Sequence, residues 1–316
     1  AEPRTEGMLV LLGMSVGLAF LTYRWIELPV RTSRHLGRDA ATLAAADVRE
    51  KAELLSIFDG CEAVFHLAAV NGPDIFSNHP DLVRAVGVRG ITGVAEACKE
   101  AGVPDLVVAS SAEVYQTPAI VPTDEDIPLV IPNSLNPRYS YGGSKLISEL
   151  IAFNYCRDVL RKVQVFRPHN VYGPDMGWKH VIPQLIGKVA AAGDGKQRTI
   201  TIQGDGSETR AFCYVDDIVD GIVTMWRKGE TMSVYHIGSM EEVSIRQLVE
   251  QVGQTMDVDL EIVSGPAMEG GTPRRCPDIG KMRKLGYEPG VSLAEGVART
   301  TAWYLNNLQS DANTLL

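Results

Sequence analysis

The alternation of short apolar runs with longer amphipathic stretches is the feature that most constrains what this chain can fold into. The short runs have four or five residues, are bounded by turn residues or charges, and lie at 42–45, 63–67, 106–109 and 163–166. Runs of this kind predict buried strands. Apolar residues recur at helical spacing in 82–101 and 139–159. Strand and helix in alternation predict an α/β fold with a Rossmann-like parallel sheet covered on both faces.

After Gly173 the predicted elements become mixed, which indicates a second and smaller α/β lobe. We expect helices and strands at 181–191, 199–202, 215–227, 244–256 and 260–263. The sequence is therefore divided into a first domain at 39–175 and a smaller lobe at 176–316.

The first residues follow another pattern. The stretch MLVLLGMSVGLAFLT carries no charge, and a helix over Gly7–Tyr23 would reach roughly 25 Å, slightly short of a bilayer core. Basic residues follow it at positions 24, 31, 34 and 38, as expected on the cytoplasmic side of a membrane helix. We therefore predict that residues 1–38 form a hydrophobic helix and its basic exit, which either enters a membrane or packs over the sheet.

Composition excludes some classes of function. The net charge of -9 and the pI near 5.2 argue against a nucleic-acid surface, which needs a clustered positive field. The 5 cysteines lie far apart in the sequence, so they predict buried free thiols and neither a disulfide framework nor a metal site. The expected location is the cytoplasm, with attachment to the cytoplasmic face of a membrane if the first helix inserts.

The clearest chemical signal is the segment YGGSK, in which Tyr141 and Lys145 lie four residues apart on one helical face. An ammonium near a phenol favours the phenolate, and such a tyrosine can act as a base. The alternative is an aromatic ring that packs beside a lysine stem. A second signal, ASSAEVY, lies where the strand at 106–109 ends, and open α/β sheets gather ligands at that edge.

Five segments occur in a fixed order: VVASSAEVYQ, YSYGGSKLISE, VFRPHNVYGPD, GDGSETRAFCYVDDI and RRCPDIGKMRKLGYEP. In this order they resemble the NAD-dependent epimerases and dehydratases of nucleotide sugars, within the extended short-chain dehydrogenase/reductase family. The resemblance covers roughly residues 41–305. The dozen residues LTYRWIELPVR also resemble the last membrane helix and exit of integral-membrane acyltransferases.

The family resemblance implies a role for each matching residue, with a nucleotide sugar as substrate and NAD as cofactor. Ser111 would bind the reacting sugar hydroxyl, Tyr141 would be the base, and Lys145 would hold the nicotinamide ribose and lower the pKa of the tyrosine. The implied substrate residues are Asn170, Arg210 and Arg275, since guanidinium groups bind phosphate oxygens bidentately. The implied cofactor residues are Asp47, Leu67, Ala68, Ala69, Ser110, Tyr141 and Lys145. For His66, which precedes Leu67, a satisfied core histidine is the favoured interpretation.

The reaction type depends on Glu113. The resemblance implies oxidation of the sugar at C4 to a 4-keto sugar, followed by epimerisation, decarboxylation or dehydration. In 4,6-dehydratases an Asp-Glu pair follows the serine or threonine, whereas this chain has Ala112-Glu113. Nucleotide-sugar decarboxylases have a similar glutamate, and a solvated or structural carboxylate is an equal alternative. We predict a 4-epimerase, with decarboxylase or dehydratase as the alternative.

The amino terminus departs from the family pattern. Members begin with a strand, a GxxGxxG turn and a helix that receive the cofactor diphosphate. Here Gly13 and Gly17 lie within an apolar run, and Gly87-Val-Arg-Gly90 stands where NVxGT is expected. From this we expect the first strand, turn and helix to be missing and NAD to bind weakly or not at all. The rival function is a catalytically impaired, membrane-anchored remnant that binds a sugar nucleotide. The resemblance also implies a homodimer.

Overall fold

The computed structural model describes residues 8–12, 41–44, 47–70, 72–266 and 272–307. Its main element is a six-stranded sheet in the order β10-β5-β4-β3-β1-β2, in which every neighbouring pair is parallel. These strands are β1 (Met8–Leu12), β2 (Ala41–Ala44), β3 (Cys61–His66), β4 (Asp105–Ala109), β5 (Lys162–Pro168) and β10 (Ser233–Ile237). The predicted Rossmann-like parallel sheet is confirmed.

Helices cover both faces of this sheet, because its strands are apolar on both sides. Along β4, Leu106 and Val108 pack into the core on one face, whereas Val107 and Ala109 pack into the core on the other. The helices of the first part of the chain are α1 (Lys51–Phe58), α2 (Pro73–Asn78), α3 (Pro80–Arg84), a π-helical turn (Ala85–Arg89), α4 (Gly90–Ala101) and α5 (Ser140–Cys156).

The predicted helix over residues 7–23 is wrong at residues 8–12, which form β1 in the interior of the sheet. Leu9 pairs with Ala41 on one side and with Ala63 on the other. A short uninterrupted apolar run fits a buried strand as well as a buried helix, so periodicity did not separate the two. The expectation that the first strand of the fold is missing is therefore also wrong, and residues 8–12 cannot belong to a membrane helix. The remainder of the predicted helix, the acyltransferase-like segment and the Gly13–Gly17 region lie outside the described residues.

The second lobe is built from small sheets and three main helices. Its strands are β6 (Val171–Tyr172), β7 (Gln197–Ile202), β8 (Thr209–Ala211), β9 (Cys213–Tyr214), β11 (Glu242–Ser244), β12 (Asp259–Ser264) and β13 (Arg274–Arg275). Its helices are α6 (Val181–Ala191), α8 (Ile245–Thr255) and α10 (Leu293–Asn307). They enclose a core that includes Ile186, Leu248 and Tyr304.

The two lobes are not consecutive segments of the chain. Helix α7 (Val215–Lys228) packs on the main sheet through Ile218 and Ile222, and β10 then pairs with β5. The short helix α9 (Gly280–Arg283) joins the same core through Met282. Residues after 176 therefore complete the first lobe as well as forming the second.

The described part of the chain contains no helix that combines the length and the apolar character needed to cross a bilayer. All 5 cysteines are buried free thiols, as predicted.

Candidate active site

The predicted catalytic residues meet at the carboxyl edge of the main sheet. Ser110 and Ser111 follow β4 directly, and Tyr141 and Lys145 project from the first two turns of α5. Ser111 is held in place as the N-cap of a short 3-10 turn, where its Oγ accepts a hydrogen bond of 3.2 Å from the Glu113 backbone N–H. The sequence thus folds locally so that the Ser111 hydroxyl faces the start of α5.

Tyr141 lies near Ser111 and stacks on an aromatic neighbour. The Phe76 ring stacks on the Tyr141 ring with centroids 5.0 Å apart. Burial raises the pKa of Tyr141 to about 12, and the Ser111 hydrogen bond opposes this rise only in part. In the protein alone Tyr141 is therefore protonated at neutral pH.

Lys145 does not point at the Tyr141 hydroxyl in this structure. Its side chain is 3% exposed, its Nζ donates a hydrogen bond of 2.7 Å to the Ala109 carbonyl, and it lies 5.9 Å from the centroid of the Tyr141 ring. Burial lowers the pKa of Lys145 to about 8, while the Glu149 charge raises it. In the protein alone, burial of the phenol outweighs the stabilisation of the phenolate, and the implied lowering of the Tyr141 pKa in the cofactor complex stays a prediction.

A buried hydrogen-bond network lies beside the site, and apart from Ser110 its members had no role predicted from sequence. Ser110 Oγ donates to the Glu149 carboxylate, which also accepts bonds of 2.9 and 2.6 Å from Arg167. Arg167 donates to the Tyr115 hydroxyl, which lies 2.6 Å from His236 Nε2. The signal was present, since Tyr141, Lys145 and Glu149 are successively four residues apart on α5 and share one face.

The two predicted phosphate-binding arginines are brought together by strand pairing. Arg210 on β8 and Arg275 on β13 are register partners in parallel strands. Arg275 Nη1 lies 2.5 Å from Glu113 Oε1, whereas Arg210 donates to the Thr209 carbonyl at 2.8 Å. Burial and the charge of Arg275 lower the pKa of Arg210. The guanidiniums of Arg210 and Arg275 and the carboxylate of Glu113 therefore lie close together.

Asn170 adopts a left-handed backbone conformation, with φ of 40°, in the link between β5 and β6. Its side-chain amide donates a hydrogen bond of 2.9 Å to the Ala211 carbonyl, next to Arg210. Its substrate contact stays a prediction, but its position fixes the approach of β8 to the main sheet.

The predicted cofactor residues lie around the ends of β2 and β3. Leu67 and Ala68 are buried, and Ala69 is half-buried. Asp47 accepts hydrogen bonds of 2.9 and 3.0 Å from the Arg49 guanidinium, which lower its pKa. At the last residue of β3, His66 pairs in register with Leu12, the last residue of β1.

His66 is buried as predicted, but it is not fully satisfied. Its Nδ1 has no hydrogen-bond partner among the described residues. Burial and the nearby charge of Lys145 lower its pKa to about 3, so the ring is neutral. An unpartnered ring nitrogen at the carboxyl edge, between the ends of β1 and β4, is a group that a polar ligand can satisfy. The described residues thus fit the nicotinamide end of a dinucleotide.

This fold and this site together define an NAD-dependent short-chain dehydrogenase/reductase. Residues 16–238 match the model of the NAD dependent epimerase/dehydratase family. The chain belongs to this family and is an enzyme of it, with NAD as the family cofactor.

Curated relatives perform more than one reaction. The chain is 32% identical to a UDP-glucose 4-epimerase of Mycolicibacterium smegmatis over 78% of this chain and 77% of the relative. It is 30% identical to a UDP-glucuronic acid decarboxylase of Xenopus tropicalis over 80% of this chain, and this match spans 59% of the relative.

Solved structures of the family show the same architecture. A dTDP-glucose 4,6-dehydratase from Streptomyces venezuelae, solved with NAD bound, has a TM-score of 0.77 and 28% identity, and the match covers 98% of this chain and 90% of the other. A UDP-glucose 4-epimerase from Thermotoga maritima, solved with UDP-glucose, has a TM-score of 0.76 and 25% identity, with 95% and 99% covered.

Proposed function

We propose that this chain is a nucleotide-sugar 4-epimerase. The observation that carries the proposal is the placement of Ser111, directly after β4, near Tyr141 at the start of α5. Epimerisation through a 4-keto sugar needs one group that takes a proton from the sugar hydroxyl and returns it, and this pair can do both.

In this proposal the chain's own residues bind, orient and move one proton. Arg210 and Arg275 hold the diphosphate of the substrate through charge-assisted hydrogen bonds. Ser111 orients the C4 hydroxyl, and Tyr141 takes its proton as the phenolate, a form that the Lys145 ammonium and the positive charge of the oxidised nicotinamide would favour. NAD, when bound, would supply the hydride acceptor for oxidation at C4. Lys145 and His66 would hold its nicotinamide end.

The neighbouring positions argue against dehydration. Elimination of water from a 4-keto sugar needs a further acid and a further base, which the 4,6-dehydratases supply as an Asp-Glu pair. Here position 112 is alanine, so the acid of that pair is absent.

The amino-terminal argument for weak cofactor binding loses its main support. It assumed that the interior strand of the sheet is missing, and β1 occupies that place. Gly13 follows β1 directly in the sequence, at the position where the family has its phosphate-binding turn. NAD released from the purified protein on denaturation, in about one equivalent per chain, is the expected result. If no NAD is released after incubation with excess NAD, the rival function is favoured, namely a catalytically impaired remnant that binds a sugar nucleotide.

A decarboxylase is the second candidate, and the pair of Glu113 and Arg275 is the observation that favours it. A guanidinium beside the reacting sugar can hold the carboxylate of a uronic acid. The test is to supply UDP-glucose, UDP-glucuronate and dTDP-glucose separately and to follow the products by NMR. We expect UDP-galactose from the first substrate. If only UDP-glucuronate reacts, with release of carbon dioxide, the chain is a decarboxylase and the proposal of an epimerase is wrong.

We also propose a homodimer that uses α5. Ile147 and Leu150 on this helix are 40% and 55% exposed, which is unusual for large apolar side chains unless they are covered by a partner. Sedimentation should give a dimer for the parent protein and a monomer for Leu150→Glu.

A further inference from the structure

Glu113 balances the charge of Arg275, one of two neighbouring arginines. Arg210 and Arg275 stand side by side on paired strands, which run roughly 5 Å apart. Two guanidiniums so close together repel each other, and both are largely removed from water. The Arg275 side chain is 15% exposed, and Glu113, which faces it, is 35% exposed. The carboxylate balances one of the two charges.

The pairing leaves Arg210 as an uncompensated cation. Its guanidinium donates to a backbone carbonyl, and no carboxylate within hydrogen-bond distance of it is recorded in the described residues. Glu113 and Glu208 favour its charged form from a distance, whereas Arg275 and burial oppose it. The cluster of Glu113, Arg210 and Arg275 therefore has a net positive charge and can accept a stronger anion.

From this geometry we infer that Glu113 competes with the substrate's diphosphate for Arg275. The diphosphate displaces Glu113 from this arginine when the substrate binds. The inference rests on the proposed function, because it assumes that Arg210 and Arg275 bind the diphosphate. A diphosphate carries more negative charge than a carboxylate and can engage both guanidiniums bidentately, so it wins the exchange. Glu113 thereby sets how tightly this enzyme holds nucleotides.

The exchange predicts opposite effects of one substitution on affinity and on stability. Glu113→Gln removes the competing charge but keeps the size of the side chain. UDP or dTDP should bind to the variant roughly tenfold more tightly than to the parent at low ionic strength. The free variant should unfold at a lower urea concentration, because the repulsion between Arg210 and Arg275 is no longer balanced. A residue with a merely structural role would lower both quantities together.

A matched control lies one residue away in the sequence. Arg274 and Glu242 form a second ion pair at 2.5 Å on the same small sheet, with a more exposed arginine. Glu242→Gln changes the net charge of the protein by the same amount, so it corrects for long-range electrostatics. Its affinity for UDP and dTDP should stay within about twofold of the parent, since the pair does not include Arg210 or Arg275.

Calorimetric titration of UDP and dTDP into the parent, Glu113→Gln, Glu113→Ala and Glu242→Gln tests the inference. Glu113→Ala should act in the same direction as Glu113→Gln, and either variant alone is sufficient if the other does not fold. A parent that binds either nucleotide, with Glu113 variants that bind equally or more weakly, would overturn the inference and leave the proposed function standing. Failure of the parent and of both variants to bind either nucleotide would overturn both.

Discussion

At the scale of single residues, Tyr141 is the proposed base and can be tested by one substitution. Tyr141→Phe removes the proton acceptor but keeps the ring that packs under Phe76. We expect the rate of sugar oxidation to fall by roughly 10²- to 10⁴-fold, with nucleotide affinity unchanged. Steady-state kinetics and calorimetry with UDP measure the two quantities. A rate within about tenfold of the parent would remove Tyr141 from the catalytic role.

The candidate catalytic residues were predictable from sequence, whereas the residues that hold them in place were not. Ser111, Tyr141 and Lys145 occur in short motifs with fixed spacing, and the structure places them together. Glu149 and Arg167 lie 18 positions apart, and their ion pair depends on how α5 crosses β5. The direction of the Tyr141 pKa was also out of reach, because it depends on burial that no local pattern encodes.

At the scale of elements, the π-helical turn before α4 fixes the position of α5. Gly87 lies so close to α5 that a Cβ atom there would come within 2.7 Å of Ser144 Oγ and 2.8 Å of Ser144 Cβ. Its carbonyl also accepts a hydrogen bond of 3.0 Å from Ser148 Oγ. The glycine that stands in place of the family asparagine therefore allows this approach.

Gly87→Ala should push α5 away and disturb both stability and catalysis. We expect a loss of about 1–3 kcal/mol in the free energy of unfolding and a lower kcat, because Tyr141 lies on the displaced helix. Urea unfolding and steady-state kinetics measure the two. Gly195→Ala is the control, since its added Cβ would lie 3.6 Å from the nearest atom. Adding Ser144→Gly to Gly87→Ala should recover part of the loss, and strictly additive losses would contradict the packing argument.

The strand β1 shows why one element was mistaken on sequence. An apolar pentapeptide is compatible with a helix or a strand, and the apolar residues that follow it favoured the longer element. Its identity as a strand is decided by partners far away in sequence, Ala41–Ala44 on one side and Cys61–His66 on the other. The other strands and helices that were predicted lie within a few residues of the observed ones, because each has its own period and turn residues, whereas β10, α1 and α10 were not predicted.

Val10→Pro tests the place of β1 in the sheet. Val10 pairs with Thr42 and with Val64, and proline would remove its N–H and disturb the pairing. We expect a loss of roughly 3 kcal/mol or more in the free energy of unfolding. Val10→Ala keeps the N–H and should cost clearly less. If urea unfolding shows equal and small effects of both substitutions, residues 8–12 are not a strand inside the sheet, and the original prediction of a helix is favoured.

At the scale of the whole molecule, buried neutral histidines couple stability to pH. Burial lowers the pKa of His66 and of His236 to about 3, and it lowers the pKa of His169 well below its ordinary value. In the unfolded chain these rings titrate near pH 6.5. Between pH 6.5 and about 3 the unfolded chain therefore binds protons that the folded protein does not. The contribution of these neutral histidines to the free energy of unfolding is fully present above pH 6.5 and is lost as the pH falls below that value.

His169→Phe isolates one of these contributions. Neither ring nitrogen of His169 has a hydrogen-bond partner among the described residues, and the ring packs against His236 with centroids 4.6 Å apart. An apolar ring of similar size should therefore preserve stability at pH 7.5. Below pH 6.5 the variant should lose stability less steeply than the parent, by about 1.4 kcal/mol for each pH unit. Urea unfolding at several pH values between 7.5 and 4.5 measures both slopes, and carboxylates that titrate in the same range cancel in the difference. Parallel slopes would mean that His169 is protonated in the folded protein. The conclusion that its buried ring is neutral would then be wrong.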